Sequence, residues 1–124
     1  MKCNNINEFI EKYLDDFIVE ELSFDNEDMY IELFNYLSNV KNPELVNLKG
    51  ILYYKGLGTQ KNYTKSYKCF KKAANKGYAR AQYNLGNMYI NGHGCKEDLN
   101  KAFEWYEKSA NQGYDAAQCI LGHM

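Results

Sequence analysis

The sequence lacks any long hydrophobic run and is poor in proline, tryptophan and histidine. The 124 residues include one proline, one tryptophan and two histidines, and nowhere do 18 apolar residues follow one another. A helix that crosses a membrane needs about 20 such residues, and the first residues lack the apolar core and cleavage site of a signal peptide. We therefore expect a single cytoplasmic domain that does not bind a membrane.

A strong net charge is also absent, although charge is unevenly distributed along the chain. The net charge is −1, so no overall field attracts nucleic acid, and we expect no nucleic-acid partner. Residues 1–43 hold ten acidic side chains and three lysines, whereas residues 44–80 hold nine basic side chains and one acidic. We expect these two segments to attract each other weakly.

Cysteine motifs are missing as well. Cys3, Cys69, Cys95 and Cys119 show no Cys-x-x-Cys pair and no other metal-ligand spacing. A structural zinc site needs four ligands, and a disulfide framework belongs to small secreted chains with regular cysteine spacings. We expect free thiols, no bound metal and no cofactor.

The sequence does contain an internal repeat. Residues 45–80 align with residues 81–116 without a gap, at an offset of 36 residues, and a third copy begins at Ala117. Such a period is the signature of a helical repeat protein. The identical pairs are Gly50/Gly86, Tyr53/Tyr89, Gly56/Gly92, Gly58/Gly94, Lys65/Lys101, Lys72/Lys108, Ala74/Ala110, Asn75/Asn111, Gly77/Gly113 and Tyr78/Tyr114.

Each copy contains two apolar stripes at helical spacing, with glycines between them. In the second copy these stripes predict helices over 79–91 and 99–112. Gly86 lies inside the first stripe, where glycine costs about 1 kcal/mol of helix propensity, so we expect it to permit a close helix crossing. Asp98 is the predicted N-cap of the second helix and Gly113 its C-terminal glycine. The predicted buried residues are Ala81, Leu85, Met88, Tyr89, Ala102, Phe103, Trp105, Tyr106, Ser109 and Ala110.

The second copy carries a family resemblance. Its strings AQYNLGNMYINGHG and KAFEWYEKSANQGY are similar to the Sel-1-like repeat, which is related to the tetratricopeptide repeat. The first copy departs from that pattern at Leu45, Lys49, Ser66 and Cys69. The resemblance implies an all-α fold, an α-α superhelix in which antiparallel helix pairs stack into a solenoid.

In this frame the chain divides into four parts. Residues 1–42 show two further helical stripes and are predicted to form a degenerate, capping helical pair, with Asn26 as a possible N-cap. Repeat 1 spans 43–80, repeat 2 spans 81–116, and 117–124 form the first helix of a partial repeat 3.

Few residues suit catalysis, metal binding or glycosylation, and the repeat gives each of them a structural role instead. His93 and Cys95 share one loop and would supply two metal ligands or a thiol nucleophile, but no third partner is evident. We therefore favour a protein that is not an enzyme over a His/Cys-dependent hydrolase or metal protein. Asn62-Tyr63-Thr64 is a glycosylation sequon, yet Asn62 also suits a helix N-cap, which we favour in a chain without a signal peptide.

A basic stripe lies along the second helix of repeat 1. Lysines at 61, 65, 68, 72 and 76 recur at helical intervals. They form either the solvated outer face of that helix or a surface that attracts an acidic partner or phosphates.

The resemblance to tetratricopeptide repeats also implies a binding groove on the first helices, which line the concave side of the solenoid. After the buried stripe is subtracted, two residues remain as alternatives, because Tyr83 and Ile90 either face a partner or complete the packing between repeats. The predicted groove residues are Glu44, Asn47, Ile51, Tyr54, Lys55, Arg80, Tyr83, Asn87, Ile90 and Asn91, with Cys119 and His123 at the equivalent places in the third copy.

We therefore expect an adaptor or scaffold that binds a protein or peptide segment on its concave face. The alternative is the regulatory N-terminal part of a larger signalling protein. The uncapped helix at the C-terminal end is expected to offer a second, less specific surface for self-association.

Overall fold

The computed structural model describes residues 27–123, which form α-helices joined by short loops, with one turn of 3-10 helix after the first of them. No strand occurs within this range. The predictions for the first helix of the capping pair, for Asn26 and for Met124 lie outside the described residues. The helices are α1 (Glu27–Tyr36), α2 (Pro43–Lys55), α3 (Tyr63–Asn75), α4 (Ala79–Asn91), α5 (Leu99–Asn111) and α6 (Asp115–His123).

The helix ends follow local sequence chemistry. Asn42, Asn62 and Asp98 have extended backbones, and each accepts a hydrogen bond through its side chain from a backbone N–H in the first turn of α2, α3 or α5. These bonds satisfy donors that a helix N-terminus leaves unpaired. The predicted N-caps at Asn62 and Asp98 are therefore confirmed. Gly56 and Gly92 end α2 and α4 in the left-handed conformation, which glycine adopts without a Cβ clash.

Consecutive helices pack against each other, and glycines set the closest approaches. A Cβ atom added to Gly86 would lie 2.6 Å from the ring of Tyr106, and one added to Gly50 would lie 2.8 Å from the ring of Phe70. The predicted close crossing at Gly86 is confirmed. Each repeat thus seats an aromatic ring of its second helix on a glycine of its first.

Two apolar clusters make up the core. One runs from α2 through α3 and α4 to α5 and includes the buried residues Phe70, Leu85 and Tyr106. The other joins α1 to α2 through Leu33, Leu37, Leu48 and Leu52. Apolar burial is the main favourable contribution to stacking of this kind.

A polar contact recurs at the repeat junctions. Gln82 donates from Nε2 to the carbonyl oxygen of Ala74 at 3.2 Å, and 36 residues later Gln118 donates to Ala110 at 3.1 Å. Each bond ties the first helix of one repeat to the end of the preceding helix.

The prediction that Phe103 belongs to the core is wrong. Phe103 is 44% exposed. Its counterpart in the preceding repeat, Tyr67, packs edge-on against Tyr89 with ring centroids 5.7 Å apart. Among residues 27–123, no ring covers Phe103 in this way. Within residues 27–123, no helix is both long and apolar enough to cross a membrane.

Candidate functional site

A cleft of about 220 Å³ lies between α2 and α4, the first helices of two consecutive repeats. Its floor is apolar and consists of Ile51, Phe70 and Met88, all of them buried. Its walls and rim consist of Tyr54, Lys55, Tyr83, Asn84 and Asn87. An apolar floor with a few polar groups at the rim is the usual form of a binding site.

The core holds Asn87 in one orientation. The buried hydroxyl of Tyr106 donates a hydrogen bond to Oδ1 of Asn87 at 2.5 Å. So short a distance suits an O–H···O bond better than one to the amide nitrogen. Burial, with a smaller contribution from Tyr83, raises the pKa of Tyr106 to about 12, so the hydroxyl keeps its proton. The Nδ2 group of Asn87 is thereby left for other acceptors.

Asn84 is fixed in the opposite sense. Its Nδ2 donates to Oδ1 of Asn47 at 3.0 Å. Asn47 is only 4% exposed, so this bond bridges α2 and α4 beneath the surface. One of the two N–H groups of Nδ2 is engaged there, and Oδ1 of Asn84 is left to accept a hydrogen bond. The two rim amides therefore offer one acceptor and one donor, three residues apart on the same helix.

Aromatic clusters hold the two tyrosines of the cleft. The ring of Tyr83 lies 5.7 Å from that of Tyr106 and 5.4 Å from that of Tyr114. The ring of Tyr54 lies 5.0 Å from that of Tyr63, and its hydroxyl is 3.0 Å from Nδ1 of His93. Rings fixed in this way lose little further conformational entropy when a ligand packs on them.

The charge of the cleft has one sign. Lys55 is the one charged side chain among the lining residues, and it is exposed. Because no carboxylate lines the cleft, an acidic group of a ligand would meet a positive charge without a competing neighbour.

The structure brings together half of the predicted groove residues. Ile51, Tyr54, Lys55, Tyr83 and Asn87 line the cleft. The others lie elsewhere: Asn47 is buried beneath the rim, Asn91 is exposed and bonds its own helix backbone, Ile90 packs on the core, and Glu44 and Arg80 are half-buried. In the third copy Cys119 and His123 are exposed on α6.

Three residues that line the cleft, Asn84, Phe70 and Met88, were not among the predicted groove residues. Asn84 was hidden because its counterpart in repeat 1 is Leu48, so a comparison of the two repeats gives it no consistent role. Phe70 and Met88 belong to buried stripes, and periodicity alone does not show that a buried side chain also forms the floor of an open cleft.

His93 and Cys95 take part in packing. The imidazole stacks on Tyr63 with ring centroids 4.2 Å apart. The thiol of Cys95 donates a hydrogen bond to the carbonyl oxygen of Met88 at 3.5 Å, and burial raises its pKa, which lowers the thiolate fraction that a nucleophile needs. Across residues 27–123 the structure contains no group of three or more His, Cys, Asp or Glu side chains arranged to hold a metal ion.

Known repeat proteins are similar to this chain in sequence and in structure. The model of the Sel1 repeat matches residues 50–78 and 79–114. A Sel1 repeat protein from Oxalobacter formigenes is similar in structure, with a TM-score of 0.74 and 37% identity over 77% of this chain. The protein c5321, a protective antigen of uropathogenic Escherichia coli strains with an SLR fold, also has a TM-score of 0.74, with 30% identity over 77% of this chain.

The matched region covers 39% of the first of these proteins and 21% of the second, so the chain spans less than half of either. No curated protein matches the sequence.

Proposed function

The chain belongs to the Sel1 repeat family, and from that premise we propose that it is a non-catalytic adaptor that binds an extended segment of a partner protein in the cleft between α2 and α4. Repeats of this fold generally mediate protein–protein interactions. The binding of a segment in this cleft is the specific part of the proposal, and it rests on the geometry of the rim.

The observation that supports it best is the pair of amides at Asn84 and Asn87. One offers Oδ1 as an acceptor and the other Nδ2 as a donor, because their remaining atoms bond Asn47 and Tyr106. Side chains three residues apart on a helix have Cβ atoms about 5–6 Å apart. Groups on one side of an extended chain repeat about every 6.5 Å. The pair therefore suits the N–H and C=O groups of an extended backbone.

The rest of the cleft suggests which side chains such a segment carries. The floor formed by Ile51, Phe70 and Met88 suits one bulky apolar side chain, and the flanking rings of Tyr54 and Tyr83 add contact area of the kind found at interface hot spots. Lys55 at the rim favours an acidic residue close to that apolar anchor.

The experiment is selection from a display library of linear peptides, followed by affinity measurements on the selected sequences. Two variants remove contacts of the cleft, Tyr83→Ala and Lys55→Asn. The second introduces the residue found at the equivalent place in repeat 2, Asn91, so the fold is expected to accept it. We expect about tenfold weaker binding for each, which corresponds to a loss of about 1.4 kcal/mol.

Matched controls change one aromatic residue and one lysine away from the cleft. Phe103→Ala removes an exposed aromatic side chain from α5, and Lys96→Asn removes an exposed lysine from a loop. Both are expected to bind the selected peptides as the parent does. Equal affinity of the cleft variants and the controls would show that the peptides bind elsewhere.

A further inference from the structure

A second surface, on α3, carries charge that the fold does not require. Every charged residue between positions 61 and 76 is a lysine, and all six of these lysines are exposed. At 3.6 residues per turn, the lysines from Lys65 to Lys76 cover an arc of about 140° opposite the buried side. We name this surface the lysine face: Lys61, Lys65, Lys68, Lys71, Lys72 and Lys76.

The next repeat shows that the fold accepts a different charge here. The positions equivalent to Lys61, Lys68 and Lys71 are occupied by glutamates, and the one equivalent to Lys76 by a glutamine. The glutamates are Glu97, Glu104 and Glu107, all exposed on α5 or just before it. Six lysines are therefore a property of this repeat, since the same helix pair folds with mixed charge in the next one.

Nothing among the described residues neutralises the lysine face. None of its six ammonium groups pairs with a carboxylate in residues 27–123. Lys76 donates to the carbonyl oxygen of Lys41 at 2.9 Å. Three others lie over tyrosine rings at distances from 4.8 to 5.7 Å: Lys61 over Tyr63, Lys65 over Tyr53 and Lys71 over Tyr67. None of these contacts cancels a positive charge, and like charges one helical turn apart repel.

We propose that the lysine face binds an acidic polypeptide segment of a partner protein. The face extends over about 16 Å from Lys65 to Lys76, given a rise of 1.5 Å per residue. This length matches about five residues of an extended chain or three turns of a helix. The segment it fits carries at least three carboxylates within that length.

A polypeptide fits this surface better than a nucleic acid does. Binding of single strands combines a basic groove with aromatic rings on which bases stack. Here the tyrosine rings lie under the ammonium groups, and the hydroxyl of Tyr67 bonds that of Tyr89 at 2.7 Å. The chain as a whole has a net charge of −1, so no extended field attracts a long polyanion.

This surface is separate from the cleft, because the lysines lie on the outer side of α3 and none of them lines the cleft. The inference therefore does not depend on the proposed function. The probe is a fluorescent 15-residue peptide that repeats Glu-Glu-Ala, and the same peptide with glutamine in place of glutamate is its neutral control. Binding is followed by fluorescence anisotropy with the full chain.

The decisive variant, called the exchange variant, gives the lysine face of repeat 1 the glutamates of repeat 2. K61E/K68E/K71E introduces the residues of the next repeat at equivalent places, and circular dichroism with a melting curve checks that it folds. We expect at least about tenfold weaker binding of the acidic peptide to it, and weaker binding to the parent as salt is raised. The Lys96→Asn variant, which removes an exposed lysine outside the lysine face, is expected to bind the acidic peptide with unchanged affinity.

Three results would overturn the inference. The folded exchange variant binds the acidic peptide as tightly as the parent does, or the glutamine peptide binds equally well, or neither peptide binds the parent at all. Tighter binding of a 15-nucleotide single strand than of the acidic peptide, at matched salt, would assign the face to nucleic acid instead.

Discussion

The hydroxyl of Tyr106 on α5 donates to the side-chain oxygen of Asn87 on α4 at 2.5 Å, and this bond connects the core of repeat 2 to the rim of the cleft. Tyr106 is buried, with its ring seated on Gly86, so its hydroxyl has a fixed position. The orientation of Asn87, and with it the donor offered to a partner, is therefore set from inside the protein.

Replacing Tyr106 with phenylalanine is expected to affect stability and binding together. The loss of one hydrogen bond lowers the free energy of unfolding by about 1 kcal/mol, measured by urea denaturation. Freed from Tyr106, the amide of Asn87 is able to rotate, so peptides selected for the cleft bind more weakly. Tyr67→Phe is the matched control, because it removes the bond to Tyr89 outside the cleft. Equal weakening of peptide binding by both variants would contradict this role of Tyr106.

Two glycine-to-alanine substitutions are expected to have different effects on the stability of the protein. A Cβ at Gly86 meets the ring of Tyr106, whereas one at Gly122 in α6 meets nothing within 4 Å. Gly86→Ala is expected to destabilise the protein by about 1–3 kcal/mol, because the crossing helices are forced apart. Gly122→Ala is expected to be neutral or to stabilise by up to about 1 kcal/mol through helix propensity. Thermal melting of the two variants decides the matter, and a loss at both positions would contradict the packing described.

The stability of the protein is expected to fall in alkali. Burial raises the pKa of Tyr106 to about 12, and burial also raises that of Tyr89, while an unfolded tyrosine has a pKa of about 10. The folded state therefore holds these protons more tightly than the unfolded state does. The stability that this tighter proton binding contributes is fully present below pH 10 and is lost as the pH rises towards 12. Urea denaturation at pH 8, 10 and 11 measures it, and Tyr106→Phe should show a smaller fall than the parent.

Thiol reactivity is expected to rank the cysteines by exposure. Cys119 is exposed on α6, whereas Cys69 and Cys95 are half-buried and burial raises the pKa of both. In a Cys3→Ser background, a thiol reagent should modify Cys119 first, because the thiolate is the reactive form. Mass spectrometry of early time points identifies the labelled residue. Faster labelling of Cys69 or Cys95 would contradict the burial of those side chains.

The fold followed from the sequence because the repeat aligned residues whose roles are local. The N-cap at Asp98, the positive φ of Gly113 and the close crossing at Gly86 each depend on a few neighbouring residues, and all were predicted. Phe103 was misassigned because periodicity shows which face of a helix is apolar, but not whether a neighbouring helix covers it.

The cleft was only partly predictable for a related reason. Asn47 was expected at the surface, yet it is buried because its side chain bonds Asn84 on a helix 37 positions further along. Likewise, the bond from Tyr106 to Asn87 links two helices of one repeat through side chains that no periodic pattern pairs. Contacts of this kind appear only when the helices are placed against each other.

We propose that the amides of Asn84 and Asn87 bind the backbone of an extended partner segment. The most direct test is the side-chain amide region of a nitrogen–proton NMR correlation spectrum during titration with a peptide selected from the display library. We expect a large shift of the Asn87 Nδ2 signals, whereas those of Asn91, whose amide bonds the backbone of its own helix, move little. An unchanged Asn87 signal at saturation with bound peptide would contradict it.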